Sequence, residues 1–232
     1  MDYRKFSEEA LKKYIELPDE ANPLYKRMHI ELEQDSYKSI EANNGGSIEE
    51  IERIAEKSGM KFDAIIANNS YSINSKHENI SISHDTSGYQ NKSIDDKYEA
   101  LAYATAKQVV RIEAKEDQEV SVAIAIGDLK SMSTIIETEA KEGGSIKLLE
   151  LLLPGKGRQI RSYLNLMHVK KNASVYFTLL NENDLEADNA INTYAWIEEK
   201  AALESCFVYL GGKKTRARNY VYGKRNARIL TS

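Results

Sequence analysis

Few side chains in this 232-residue chain are suited to chemistry, and their spacing restricts what they can do. Cys206 is the single thiol. Thiolate sulfur is the usual ligand of iron–sulfur clusters and the usual carrier of sulfane sulfur, which makes Cys206 the candidate sulfur or cluster contact. Against that, a lone cysteine in the strand-like run Glu204-Ser205-Cys206-Phe207-Val208 is more often a small buried hydrophobe, and one thiol cannot hold a cluster by itself. His29, His77, His84 and His168 lack a His-x-x-x-His spacing and no Cys-x-x-Cys occurs, so no metal ligands are assigned. His168 is given no role.

Other residue groups suggest chemistries that their context weakens. Gly155-Lys156-Gly157-Arg158 and Gly211-Gly212-Lys213-Lys214-Thr215 lack the eight-residue spacing with which a phosphate loop wraps a nucleotide; they read as turns, and any ATPase would be another polypeptide. The basic stretch from Lys213 to Arg228, with Tyr220 and Tyr222 as base-stacking candidates, invites a nucleic-acid reading. Arg216 and Arg218 nevertheless sit two apart with Ala217 between them, as on a solvated strand face, and the net charge of -4 opposes general nucleic-acid affinity. Glu150, Asp184, Glu186 and Asp188 could supply the paired carboxylates of a carbohydrate-active β-helix enzyme, which need to converge within about 5–9 Å. No catalytic residues are assigned, and the chain is read as a non-enzyme.

Composition sets the frame for these residues. With 41% apolar and 29% charged residues, the chain can bury a core and is not of the disordered class. A single cysteine rules out an internal disulfide framework, and the start MDYRKFSEEA lacks the apolar core of a secretion signal. The most apolar stretch, Ile146 to Leu153, is interrupted by Lys147 and Glu150 and is far shorter than the about 20 residues a bilayer requires. A cytoplasmic protein, with neither membrane nor nucleic acid as partner, is the expectation.

The elements fall into two regions, with residues 1–106 forming an N-terminal helical, α+β domain. Phe6, Ala10, Leu11, Tyr14 and Ile15 share a helical face, and Leu24, Met28 and Leu32 define another after Asn22-Pro23. Ser47 and Glu50 form a capping box ahead of Ile51 and Ala55, predicting a helix that stops near Ser58-Gly59. Phe62 to Ala67 and Tyr71 to Ser83 suggest strands, and Ser93 with Asp96 caps a last helix through Leu101 and Thr105.

From about Val109 a weak repeat takes over. The groups Ala114–Gln118, Ala140–Gly144, Val169–Ala173, Ile197–Ala201 and Gly223–Ala227 align at successive spacings of 26, 29, 28 and 26 residues, each flanked by apolar-alternating runs. The unit is strand, charged turn, strand. None of these turns carries the Asn-Gly or Asp-Gly of a tight hairpin, which favours stacked coils over an antiparallel meander. The fold class is therefore mainly β, with a right-handed parallel β-helix, a single-stranded solenoid, as a core domain over 107–232.

Three segments carry a family resemblance. They are Lys97-Tyr98-Glu99-Ala100-Leu101-Ala102-Tyr103-Ala104 followed by Val109-Val110-Arg111-Ile112; Val169-Lys170-Lys171-Asn172-Ala173-Ser174-Val175-Tyr176; and Ala201-Ala202-Leu203 through Gly211-Gly212 to Thr215-Arg216. In order and spacing they resemble the SufB/SufD family, the β-helical scaffold subunits of SUF-type iron–sulfur cluster assembly. The resemblance implies an opening helix and first strand, an Asn-Ala turn and a Gly-Gly turn. It also implies a non-catalytic platform in a protein complex with a SufC-like ABC-type ATPase and a second SufB/SufD-like subunit, as a homo- or heterodimer. A transient iron–sulfur cluster would form in the full complex, with none expected in this chain alone. Because the family's last coils and C-terminal helices have no counterpart here, the resemblance implies a fragment or a short relative, truncated within the β-helix.

Overall fold

The computed structural model describes residues 48–67, 70–73, 80–83, 98–99, 102–103, 106, 109–126, 131–153, 159–182 and 186–232. The helices expected over Phe6–Ile15 and after Pro23 lie outside the described residues, as do Asp184 and the start of the helix expected from Ser93. The helix with the capping-box signature is α1, Ile48–Ser58. The strands are β1 Ala64–Ala67, β2 Ser70–Ile73, β3 Ile80–Ser83, β4 Val109–Ala114, β5 Glu119–Ile126, β6 Ser131–Ala140 and β7 Ser145–Leu152. They continue with β8 Gln159–Val169, β9 Ser174–Asn181, β10 Ala187–Ile197, β11 Ala202–Tyr209, β12 Lys214–Gly223 and β13 Arg228–Thr231.

The strands stack as two facing sheets, β13-β11-β9-β7-β5-β1-β2 and β12-β10-β8-β6-β4-β3. From β4 onward, successive strands alternate between the sheets and pair in parallel with the strand two positions on. That is a β-solenoid of about four turns. The pairing register repeats the sequence spacing: Glu119 lies opposite Ser145, Ser145 opposite Ser174, Ser174 opposite Ala202 and Ala202 opposite Arg228. At the front, β1 adds to β5 in parallel and β3 adds to β4 antiparallel.

The two edges of the stack are built differently. At one, a four-residue turn of constant length joins the sheets, and its first carbonyl accepts from the fourth N–H: Gln118 N to Lys115 O 3.1 Å, Gly144 N to Lys141 O 2.8 Å, Ala173 N to Lys170 O 3.0 Å, Ala201 N to Glu198 O 3.2 Å and Ala227 N to Lys224 O 3.1 Å. The third residue of every turn has positive φ, at Asp117, Gly143, Asn172, Lys200 and Asn226. Glycine, asparagine and aspartate tolerate this conformation, and they fill four of the five places. At the other edge, connections of differing length, or arcs, lead from the first sheet to the second between Ile126 and Ser131, Leu152 and Gln159, Asn181 and Ala187, and Tyr209 and Lys214.

Lys200 is the exception among the turns, with φ 59° and an exposed side chain. A β-carbon in this region crowds the following carbonyl. Lys200→Asn is expected to stabilise the fold by about 0.5–1 kcal/mol, read as a higher urea midpoint at unchanged slope.

Along this edge, charges alternate between coils. Lys141 pairs with Glu139 at 2.7 Å and Glu113 at 3.4 Å, while Lys170 pairs with Glu139 at 3.7 Å and Glu198 at 3.6 Å. Burial pushes the Glu139 carboxyl up, but the Lys141 hydrogen bond and the charges of Lys141 and Lys170 outweigh it and leave the group below its ordinary range. These pairs are half-exposed, so they set register more than they add stability.

Inside, alternate residues of facing strands make one apolar column, from Val110, Ile112, Val120 and Val122 through Ile146, Leu148, Val175 and Phe177 to Ile191, Ile197 and Leu203. Each coil buries its inner face only against its neighbours and the opposite sheet, which is why the unit must repeat. The outer faces are partly covered. Ile51 of α1 packs with Ile65, Ala67, Ala123, Ala125 and Leu151 on the outside of the first sheet. Residues 98–99 and 102–103 are helical and cross the outside of the second sheet, where Ser162 Oγ donates to the Tyr98 carbonyl at 2.8 Å and Tyr194 OH to Glu99 Oε2 at 3.0 Å.

Candidate functional site

Part of the buried interior is polar. On β7, the inward row Ile124–Glu150–Leu179 places a carboxyl between two hydrophobes, and on β8 the facing row is Ile136–Asn165–Thr193. Asn165 Nδ2 donates to Glu150 Oε2 at 3.1 Å. Glu150 and Asn165 are both fully buried, and Glu150 Oε1 and Asn165 Oδ1 have no partner among the described residues. Burial pushes the Glu150 carboxyl up to about 8, against the opposing pull of the Asn165 hydrogen bond.

The neighbouring residues extend this polar interior. Tyr163 is fully buried and its hydroxyl is pushed up, first by desolvation and then by Glu150, with Arg161 pulling the other way. Arg161, equally buried, gives Nη1 to the Leu153 carbonyl at 2.8 Å. Tyr209, partly exposed at the end of β11, is pushed up to about 12 by desolvation and then by Glu150. Asn189 bonds Thr215 Oγ1 at 3.3 Å beside Gly212, one coil further on. A carboxylic acid in such a place can donate or release a proton; it is poorly suited to act on a polymer.

The outside of the second sheet carries an aromatic ladder. His168 stacks on Trp196 at 4.6 Å between centroids, Tyr194 on Tyr220 at 4.9 Å, and Trp196 on Tyr222 at 6.2 Å, with interplanar angles of 10–14°. The rings spend their faces on one another, so Tyr220 and Tyr222, considered above as base stackers, are members of a stack that ties coils together. Between this ladder and the row Lys170, Glu198 and Lys224 lies a cleft of about 500 Å³.

Arg216 corrects the solvated-face reading. It is buried, with its guanidinium 4.7 Å from the Tyr98 ring centroid and Nη1 giving a hydrogen bond to Asn192 Oδ1 at 3.3 Å. The helical segment that covers it is more than a hundred residues away in sequence, which is why alternation alone misplaced it.

Cys206 lies on β11 between inward-facing Ser205 and Phe207, so its thiol points outward, half-exposed and opposite Thr178. Thr178, Leu149, Tyr176 and Lys147 line a cleft of about 770 Å³ beside the end of α1, and Cys206 is the next position along that row. In place of the small buried hydrophobe weighed above, the structure has a half-exposed outward thiol. Among the described residues, no group of three or more His, Cys, Asp or Glu side chains is arranged to hold a metal ion. Of the acids considered for carbohydrate chemistry, Glu150 faces the interior, Glu186 is exposed and Asp188 shares the outward parity of Ala190, so Glu150 shares no face with Asp188.

Sequence reasoning missed Glu150–Asn165, Arg161 and the ladder. The ladder had a signal: aligned on the turns, His168, Trp196 and Tyr222 occupy the same place two residues before Lys170, Glu198 and Lys224. No family model matches the chain, and a search of the curated proteins finds no match. Among the described residues, no helix is long and apolar enough to cross a membrane.

Proposed function

We propose that this chain is a non-catalytic scaffold subunit of a cytoplasmic SUF-type iron–sulfur cluster assembly complex, working with a SufC-like ABC-type ATPase and a second SufB/SufD-like subunit. One observation supports the reading: the described parts of the segments that resemble that family lie on a strand, a turn and an arc of the solenoid. Val109-Val110-Arg111-Ile112 opens β4, the Asn172-Ala173 pair closes a tight turn with Asn172 at φ 59°, and Gly211-Gly212 forms an arc with Gly212 at φ 105°. A regular stack with broad sheet faces suits a platform. The cluster is cargo in this reading. The described residues offer it one outward thiol, and a cluster needs several ligands.

Co-expression with a SufC-like ATPase is expected to yield a complex that survives size-exclusion chromatography, and Cys206→Ser is expected to leave that complex intact because the thiol makes no structural bond. Failure to bind any such ATPase, together with no cluster after anaerobic reconstitution with partners, would remove the proposal.

A further inference from the structure

Stability does not account for Glu150. Its cross-strand neighbours Ile124 and Leu179 show that the row accepts aliphatic side chains, and a buried ionisable group is usually no more stable than a well-packed apolar one. The carboxyl receives a single hydrogen bond, from Asn165, and its other oxygen has none among the described residues. We propose that Glu150 makes the β7–β8 layer proton-responsive: with the carboxyl protonated the two sheets stay closed over it, and ionisation drives this layer to open so that the charge reaches water.

The surroundings give the device its direction. From β5 and β9 the carboxyl meets Ile124 and Leu179, which carry no charge. From the facing sheet come Asn165 and Tyr163, with Ile136 and Thr193 flanking Asn165 in its row. Arg161, on the same strand, acts on Tyr163 and gives a hydrogen bond to the Leu153 carbonyl, while Tyr209 on β11 is raised by Glu150. The two forces on Glu150 itself are desolvation, which dominates, and the Asn165 amide. The closed-state carboxyl titrates near 8, far above an open-state glutamate near its model value of 4.5. An open layer ionises first as pH rises, so closure is complete below about 4.5 and is progressively lost up to about 8. Within that window the opening constant rises by roughly tenfold per pH unit, and above it the rise stops. This behaviour is independent of the assembly role.

Hydrogen–deuterium exchange of the full chain, corrected for the intrinsic pH dependence of amide exchange, reads this directly. From pH 6 to pH 8, protection of the β7 and β8 amides is expected to fall by about 50-fold in the unaltered protein. In Glu150→Gln, which keeps the shape and cannot ionise, the same amides are expected to keep their protection. A pH-independent opening in the unaltered protein would overturn the proposal, and so would the same loss in the variant. If Glu150→Gln fails to fold, the slope in the unaltered protein still decides: a slope confined to β7, β8 and their immediate neighbours supports the device, and one spread evenly over all strands refutes it.

Discussion

Phe177→Ala is expected to cost about 3–5 kcal/mol, a large share of the about 5–15 kcal/mol that holds a typical domain folded. The ring is almost wholly buried in the middle of the interior column. It sits in register between Leu148 and Ser205 and meets Phe207 edge-on at 5.5 Å and 84°. Truncation leaves a cavity that three stacked strands cannot close without losing their ladder hydrogen bonds. Because stability in a stack is carried by contacts between adjacent coils, the damage should also divide the molecule. Chemical denaturation of the variant should show two transitions in place of one, with β11–β13 unfolding before β4–β7. Phe207→Ala, at a half-buried position, should cost less and leave a single transition. Equal costs for the two variants would show that the column does not act through its middle.

Gly212→Ala is the second large effect expected, about 2–4 kcal/mol. Its φ of 105° disfavours any β-carbon, and that carbon would stand 2.7 Å from Thr215 Oγ1, 2.8 Å from Asn189 Nδ2 and 3.4 Å from the Ala187 carbonyl. Asn189 is fully buried and held to Thr215, so its side chain cannot retreat into solvent. Nearby, Lys213 N donates to the Ala187 carbonyl at 2.7 Å, so moving the arc also strains the pairing of β10 with β12. In a Thr215→Ala background the same substitution should cost less, with a coupling of about 0.5–1 kcal/mol in a double-mutant cycle. Thermal and urea unfolding of the four proteins would test it, and strict additivity would place the strain in the backbone alone.

The repeat was legible because its turns have a chemical requirement. Four of the five positive-φ places hold Asp, Gly or Asn, and the spacing between turns equals the strand register. The helix over Ile48–Ser58 was legible from its capping box. The interior polar group was not. In Ile146-Lys147-Leu148-Leu149-Glu150-Leu151-Leu152, Leu149 and Leu151 pack outward under α1 while Glu150 faces inward, so two apolar faces hide the alternation that would reveal it. Glu150 first read as an interruption of an apolar run. Arg216 failed for the complementary reason, since a strand residue looks solvated until the helical segment that covers it is known. Cys206 fell between the two cases: its strand was predictable, and its face depended on whether Cys206 or its two neighbours, Ser205 and Phe207, were taken to point inward.

The two unlike edges bear on how the chain tolerates change in length. Each strand from β5 to β11 in the first sheet is eight residues long and each turn is four, so the differences between coils of 26, 29, 28 and 26 residues are absorbed at the arcs and by one residue of the second sheet's strands. One edge therefore acts as a fixed gauge, and the other as the place where insertions and deletions can accumulate without moving any side chain to the wrong face. A peptide tag spliced into an arc should leave the gauge unread, whereas a single residue added to a turn would turn the next strand inside out.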